Sequence, residues 1–384
     1  MSKWVTAWGV PTTFIEETVG NMLYNTTLRH TFYSPINAEK IRLNFSNAYG
    51  KEGVEISKAT VSEGSVDGTV IDLSTAKNVT FSDNGNVIEP QKELLYDAVD
   101  LTLEAGKTYI ISLYFEKPTK LLTGYNKPTG DKITRNWFAR GDYTGISEIP
   151  LKERYETRSY VCLCGIDAYT SDESTRAIMA FGDSITARPW PDYLARKINE
   201  KGITNVSVVR KAIGGNRVLR DYRDCLYRRL MGYAGVDRFE MSLKQISGVD
   251  RVIMLEGIND ICHPMKEGLF CKLDQLPTAE ELISGYKYCC DIAHKYGCKF
   301  YLGTILPTPK LLEEGDDRWK IWEDVKEWIG TTDVIDGFIE FSKAMADEDR
   351  PFWLKKEYDC GDTLHPNPEG SMKLCNTIPE EYYK

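Results

Sequence analysis

The hydrophobic period of the chain changes partway along it, and that change restricts the fold more than any other feature. From about residue 4 to 168, apolar residues alternate with polar ones. Ile41, Leu43 and Phe45 alternate with Arg42, Asn44 and Ser46, and Val99, Leu101 and Leu103 with Asp100, Thr102 and Glu104; Tyr109, Ile111, Leu113 and Phe115 continue the rule. A period of two, with turns such as AYGKEG and EAGKT between runs, predicts an antiparallel sandwich. After the polar stretch SDEST at 171–175, the runs AIMAF, VSVV, VDRVIML, KFYLGTILP and VIDGFIEF read instead as buried parallel strands separated by helices. One helix is well marked: Thr278 and Glu281 form a capping box, Leu282, Ile283, Tyr286, Cys290 and Ala293 recur at helical spacing, and Gly297 can close its end. The expectation is an all-β, jelly-roll-like sandwich over residues 1–170, followed by a three-layer, doubly wound α/β/α domain of flavodoxin-like type over 171–384. A chain of 384 residues suits two domains.

Composition narrows the function classes. A net charge of −9 argues against a general nucleic-acid binder, and no apolar stretch approaches the ~20 residues needed to span a bilayer. MSKWVTAWGV lacks the apolar core of an export signal, so a cytoplasmic location is expected if Met1 is the native start, and secretion if the true start was trimmed. Ten cysteines lie mostly within apolar runs, which suggests reduced thiols. Without paired CxxC units or spaced histidines, no metal is expected. RVLRDYRDCLYRRL, residues 217–230, is a local basic exception, read first as a solvated face and second as an anion-binding patch.

In an open parallel sheet the working residues sit where strands end. Those ends read Gly182-Asp183-Ser184-Ile185, then Ile213-Gly214-Gly215-Asn216, then Glu256-Gly257-Ile258-Asn259-Asp260, and near the C-terminus comes Gly361-Asp362-Thr363-Leu364-His365-Pro366-Asn367. A serine hydroxyl needs a base within hydrogen-bond reach, and the base needs an acceptor that fixes its tautomer. His365 can be that base and Asp362, three residues earlier, that acceptor. An oxyanion needs preset donors, which the amides of Ser184 and Gly215 and the side chain of Asn259 can provide. Taken singly each block has a plainer reading: GDS as a strand-ending turn anchored by Asp183, and Asp362 or Asn367 as a helix cap. His30 and His294 read as structural. His263 reads as surface loop or pocket wall, and Trp190 as a sugar platform or a core residue. The short SDEST link is expected to hold sandwich loops, including Ser46, Asn47 and Tyr49, near the cleft.

GDSI, AIGGN, LEGIND and DTLHPN, in this order, resemble the four sequence blocks of the SGNH/GDSL hydrolase superfamily. TLRHTF…IRLNFSNAYG, VDLTLEAGKTYIISLYF and SYVCLCGIDAYT resemble the β-sandwich leader of a two-domain branch of GDSL esterases. Ile185 stands where the superfamily's name has leucine, and RKAIGG where many relatives read asparagine–arginine before the glycines. The resemblance implies that Ser184 is the nucleophile, Asp362 and His365 complete the triad, and Gly215 and Asn259 are oxyanion donors.

The implied function is a carboxylic-ester hydrolase that removes short acyl groups, above all acetyl from sugars or oligosaccharides, through an acyl-serine intermediate and with no cofactor. Asn47, Trp190 and His263 are the candidate substrate contacts. The partner is a small-molecule or oligosaccharide ester, with neither nucleic acid nor membrane involved; a homo-oligomer is compatible with the sequence. The rivals are a lysophospholipase or thioesterase acting on longer chains, and a non-catalytic glycan-binding protein.

Overall fold

The computed structural model describes residues 2–15, 22–81, 85–126, 134–223, 225, 229–312 and 317–384. The chain divides into two compact units, one of residues 1–176 and 195–207, the other of 177–194 and 208–384. Where the sequence suggested a cut at residue 170, compactness groups 171–176 and 195–207 with the strand-rich unit.

The first unit holds antiparallel sheets. A four-stranded sheet runs Lys3–Gly9, Leu163–Thr170, Lys40–Ser46, Glu93–Leu95, and a six-stranded one runs Arg154–Thr157, Asn136–Arg140, Thr26–Tyr33, Thr108–Phe115, Lys58–Glu63, Lys77–Asn78. Ile41, Leu43 and Phe45 are buried while Arg42 and Asn44 are half-buried, as the period of two predicts. Two segments depart from the pattern. Strand Thr108–Phe115 is central in its sheet and buried on both faces, so Ile110 and Tyr114 are covered along with the alternate set. Val99 and Leu103, expected within a strand, make only isolated bridges to Ile41 and Ala38, because Leu101 turns its amide back onto the Val99 carbonyl.

The second unit is built on a five-stranded sheet: β1 (Arg176–Gly182), β2 (Val206–Ala212), β3 (Val249–Leu255), β4 (Lys299–Gly303) and β5 (Gly337–Ile339), in the order 2-1-3-4-5. The β1/β3, β3/β4 and β4/β5 pairs are parallel. This is the flavodoxin-like order, and its switch point puts a crevice beyond the carboxyl end of β1, between β1 and β3. Helices α1 (Trp190–Glu200), α2 (Gly235–Lys244), α3 (Ala279–Lys295), α4 (Arg318–Thr331) and α5 (Pro368–Thr377) intervene or follow. α3 starts at the capping box expected for it: Thr278 Oγ1 accepts from the Glu281 amide at 3.2 Å, and Glu281 accepts from the Thr278 amide at 3.0 Å. It ends where Gly297 takes a φ of 73°, with His294 near the end hydrogen-bonded to Asp336 at 2.7 Å. No helix among the described residues is long and apolar enough to cross a membrane. None of the ten cysteines, all among the described residues, is joined in a disulfide.

Candidate active site

β1 ends in Gly182, where a Cβ would stand 2.1 Å from the Leu255 carbonyl oxygen, so only glycine lets the strand pass β3 this closely just before the turn. Asp183 then caps the short helix Ser184–Ala187, its Oδ1 accepting from the Ile185 amide at 2.9 Å. Asp183 is buried and its other oxygen has no hydrogen-bond partner. Burial, then the nearby Glu256 carboxylate, raises its pKa well above the ordinary carboxylate value. Ser184 is the first residue after this cap and remains half-buried.

Ser184 Oγ lies 2.7 Å from His365 Nε2, and His365 Nδ1 lies 2.6 Å from Asp362 Oδ2. The loop that delivers this pair is closed by paired backbone bonds, Cys360 N to His365 O at 3.0 Å and Asn367 N to Tyr358 O at 2.8 Å. Thr363 sits at a φ of 63°, a left-handed conformation that costs about 1–2 kcal/mol for a residue with a Cβ. The Asp359 carboxylate holds it there, accepting from the Thr363 amide at 3.1 Å and the Gly361 amide at 2.9 Å. Asn367, the plainer candidate for a helix cap, does cap α5 through the Gly370 amide at 2.8 Å, which leaves Asp362 for the histidine.

The electrostatics suit a base held neutral. Burial works against ionising Asp362, but bonds from the His365 amide (2.8 Å), the His365 ring and the Leu364 amide (3.0 Å) outweigh it and pull its pKa to about 2. Burial also lowers the His365 pKa below the usual imidazole value; Asp362 opposes this, and the Arg188 and Lys310 charges add to it. Near neutral pH the imidazole is therefore a free base whose Nε2 can take the Ser184 proton.

The second and third strand ends converge beside the serine. A Cβ on Gly214 would stand 3.9 Å from Ser184 Cβ. Gly215 takes a φ of 76°, and its carbonyl accepts from Tyr222 Oη at 2.6 Å. Asn259, on the short helix Ile258–Cys262, donates through Nδ2 to the Asn216 carbonyl at 2.8 Å, leaving its second hydrogen for another acceptor. Asp260, next along, fixes the loop between β2 and α2 by accepting from the Val218 and Leu219 amides at 2.7 and 3.0 Å.

The three candidate substrate contacts fare differently. His263 follows the Asn259 helix and stacks on Phe270 at 4.3 Å. Its Nδ1 is 2.5 Å from Tyr222 Oη; because the phenol spends its one hydrogen on Gly215, the imidazole donates to it. Burial and then the Arg217, Lys310 and His365 charges push the His263 pKa to about 3, so it stays neutral. Trp190 is fully buried against Phe341, which corrects the sugar-platform reading: its position in α1 turns the indole inward. Asn47 lies buried in the strand-rich unit with its amide hydrogens committed to the Glu52 and Ile88 carbonyls, so it braces a loop and offers no donor.

Within the basic segment, Arg217 is buried over the Tyr222 ring and bonds to Arg220 O and Gln275, while Arg220 pairs with Glu281 at 2.9 Å. These two stabilise the loop rather than bind an anion; Arg228 lies outside the described residues. Asp359, Cys360 and Asp362 bring ligand-type atoms within 4.8 Å of one another, but both carboxylates are already occupied by the His365 loop. Sequence reading passed over Tyr222 and the bracing role of Asn216. Their only signal was proximity to the second block.

The model of the GDSL-like lipase/acylhydrolase family matches residues 180–373. No curated protein matches the chain. Among solved structures, a GDSL-like lipase from Bacteroides thetaiotaomicron is 18% identical, covering 54% of this chain and 87% of its own, with a TM-score of 0.37. An acetylxylan esterase from Geobacillus stearothermophilus is 18% identical over 54% and 94%, TM-score 0.39, and an esterase from Pseudoalteromonas 16% identical over 54% and 98%, TM-score 0.38.

Proposed function

Because the chain belongs to the GDSL-like lipase/acylhydrolase family and is an ester-cleaving hydrolase, we propose that it removes short acyl groups, acetyl on sugars or oligosaccharides foremost, through an acyl-Ser184 intermediate. The observation that carries this reading is the unbroken chain Ser184–His365–Asp362, with links of 2.7 and 2.6 Å. As Ser184 Oγ attacks the ester carbonyl carbon, His365 Nε2 takes its proton and Asp362 steadies the imidazolium. The carbonyl oxygen becomes an oxyanion facing the Ser184 and Gly215 amides and the Asn259 side chain. Collapse breaks the bond to the alkoxy oxygen, which leaves as alcohol with the proton from His365. Water, deprotonated by His365, then attacks the acyl carbon, and Ser184 departs with that proton as the carboxylic acid is released.

The short acyl group and the sugar alcohol both rest on the family resemblance. Incubation with a fluorophosphonate should modify Ser184 covalently and no other serine, and hydrolysis should fall from acetyl to longer acyl esters. Rates that climb with acyl length would move the reading to a lysophospholipase or thioesterase, and an unlabelled Ser184 would end the catalytic reading.

A further inference from the structure

Arg238 belongs to no recognised block; in the sequence it is one basic residue in the amphipathic stretch GVDRFEMSLK. In the structure it points inward from the first turn of α2 and is buried, with its guanidinium 3.9 Å from the centre of the Phe181 ring. Every bond it makes ends on a segment that carries the site. Nη2 donates to the Gly182 carbonyl at 2.9 Å, at the end of β1 and two residues before Ser184; Nη1 donates to the Lys211 carbonyl of β2 at 2.7 Å. Nε donates to Asn216 Oδ1 at 2.7 Å, and Glu256, at the end of β3, stands 3.5 Å from Nη2.

Asn216 passes this constraint on. Its Nδ2 holds the Met231 and Tyr233 carbonyls, both at 2.7 Å, and its own carbonyl accepts the Asn259 side chain at 2.8 Å. We propose that Arg238 is a positioning residue for the oxyanion donors: its planar fork locks the ends of β1, β2 and β3 so that Gly215 and Asn259 are held beside Ser184. Arginine suits this task because one rigid group presents five donors in fixed directions, whereas a lysine ammonium is a point charge on a flexible stem. Preset donors matter because they stabilise charge without reorganising as it develops. Glu256 supplies the counter-charge that makes burial of the guanidinium tolerable.

The proposal rests on Ser184 being the nucleophile, and its test separates the two. Full-length wild type, Arg238→Lys, Arg238→Met, Asn259→Ala and the Arg238→Lys/Asn259→Ala double variant are assayed on 4-nitrophenyl acetate, with active sites counted by fluorophosphonate labelling of Ser184. Arg238→Lys keeps the charge beside Glu256, so it decides the matter even if Arg238→Met does not fold. Per labelled site, Arg238→Lys should lower kcat about 10–100-fold with KM within about threefold, and the double variant should be no more than about threefold slower than Asn259→Ala alone, since both losses fall on one group of donors. A purely structural arginine would instead reduce the number of labelled sites and the Tm while leaving kcat per site unchanged, and that result overturns the proposal. Multiplying losses in the double variant overturn it as well. Wild type that fails to label at Ser184 removes the nucleophile reading and the Arg238 role with it.

Discussion

Arg29 in the strand-rich unit and Arg238 in the other are both buried, and the two are used differently. In the strand-rich unit Arg29 donates to the Thr69 carbonyl at 2.9 Å, to Ser147 O and Tyr143 O at 3.1 Å, and to Ile146 O. Its acceptors are loop carbonyls, of which Ser147 O and Tyr143 O also accept from the Ile71 and Ile146 amides, and burial followed by the Arg154 charge lowers its pKa to about 10. It closes a hydrogen-bond account that the fold must satisfy. Arg238 instead lies among buried acids with atoms left over: Asp183 Oδ2 and Glu256 Oε2 have no hydrogen-bond partner. Burial, with Arg238 opposing, raises the Glu256 pKa to about 7, and burial against the bonds from the Leu219 and Val218 amides raises that of Asp260 to about 6. Unpartnered buried polar atoms occur in both units, Arg29 Nε among them; what differs is the company, backbone carbonyls alone around Arg29 and carboxylates with raised pKa values around Arg238, beneath the strand ends proposed to carry the reaction.

The largest effect that would sharpen this contrast belongs to the triad. Ser184→Ala and His365→Ala should each reduce kcat by about 10³-fold or more, with the double variant scarcely worse, because nucleophile and base act as one unit. Steady-state rates showing multiplied losses would separate their roles. Next, Asn259→Ala should lower kcat by about 10²–10³-fold while Ser184 still labels slowly. A rise in KM alone would make Asn259 a substrate binder.

A smaller change tests the other side. Arg29→Met removes the donor from the buried Thr69 carbonyl and the part-buried Ile146 carbonyl and should destabilise the strand-rich unit by about 1–3 kcal/mol, while kcat of the folded fraction is retained. Urea unfolding followed with an activity assay would show it, and a loss of kcat per folded molecule would erase the scaffold–site distinction.

The subtlest effect is in pH. With folded pKa values raised above their unfolded values, Glu256 and Asp260 keep protons that the unfolded chain releases, so their contribution to stability is complete below about pH 4 and shrinks as pH rises through about 6 to 7. Glu256→Gln should flatten the decline in Tm over that range. Catalysis runs the opposite way, since His365 must be deprotonated: kcat/KM should rise with pH through a midpoint below the ordinary imidazole value of about 6.5, set by the lowered His365 pKa. An acid limb above that value would show that the imidazole is not held in the environment described.

Much of this was legible in the chain. The change of period separates antiparallel strands from parallel ones because side-chain alternation and full burial write different patterns; the α3 capping box and Gly297 could be read because caps are local. The four blocks pointed to Ser184, Gly215, Asn259, Asp362 and His365 because a strand-end turn and a three-residue Asp–His spacing are also local. What the chain did not reveal depends on contacts between distant residues. Whether Trp190 faces a ligand or a core is set by Phe341, about 150 residues away, and the fate of Asn47 by the Ile88 carbonyl. Arg238 shows the limit most clearly. One arginine in an amphipathic helix looks like surface until the sheet order 2-1-3 brings Gly182, Lys211 and Glu256 around its guanidinium, and hydrogen-bond partners chosen by sheet order leave no trace in the spacing of the residues themselves.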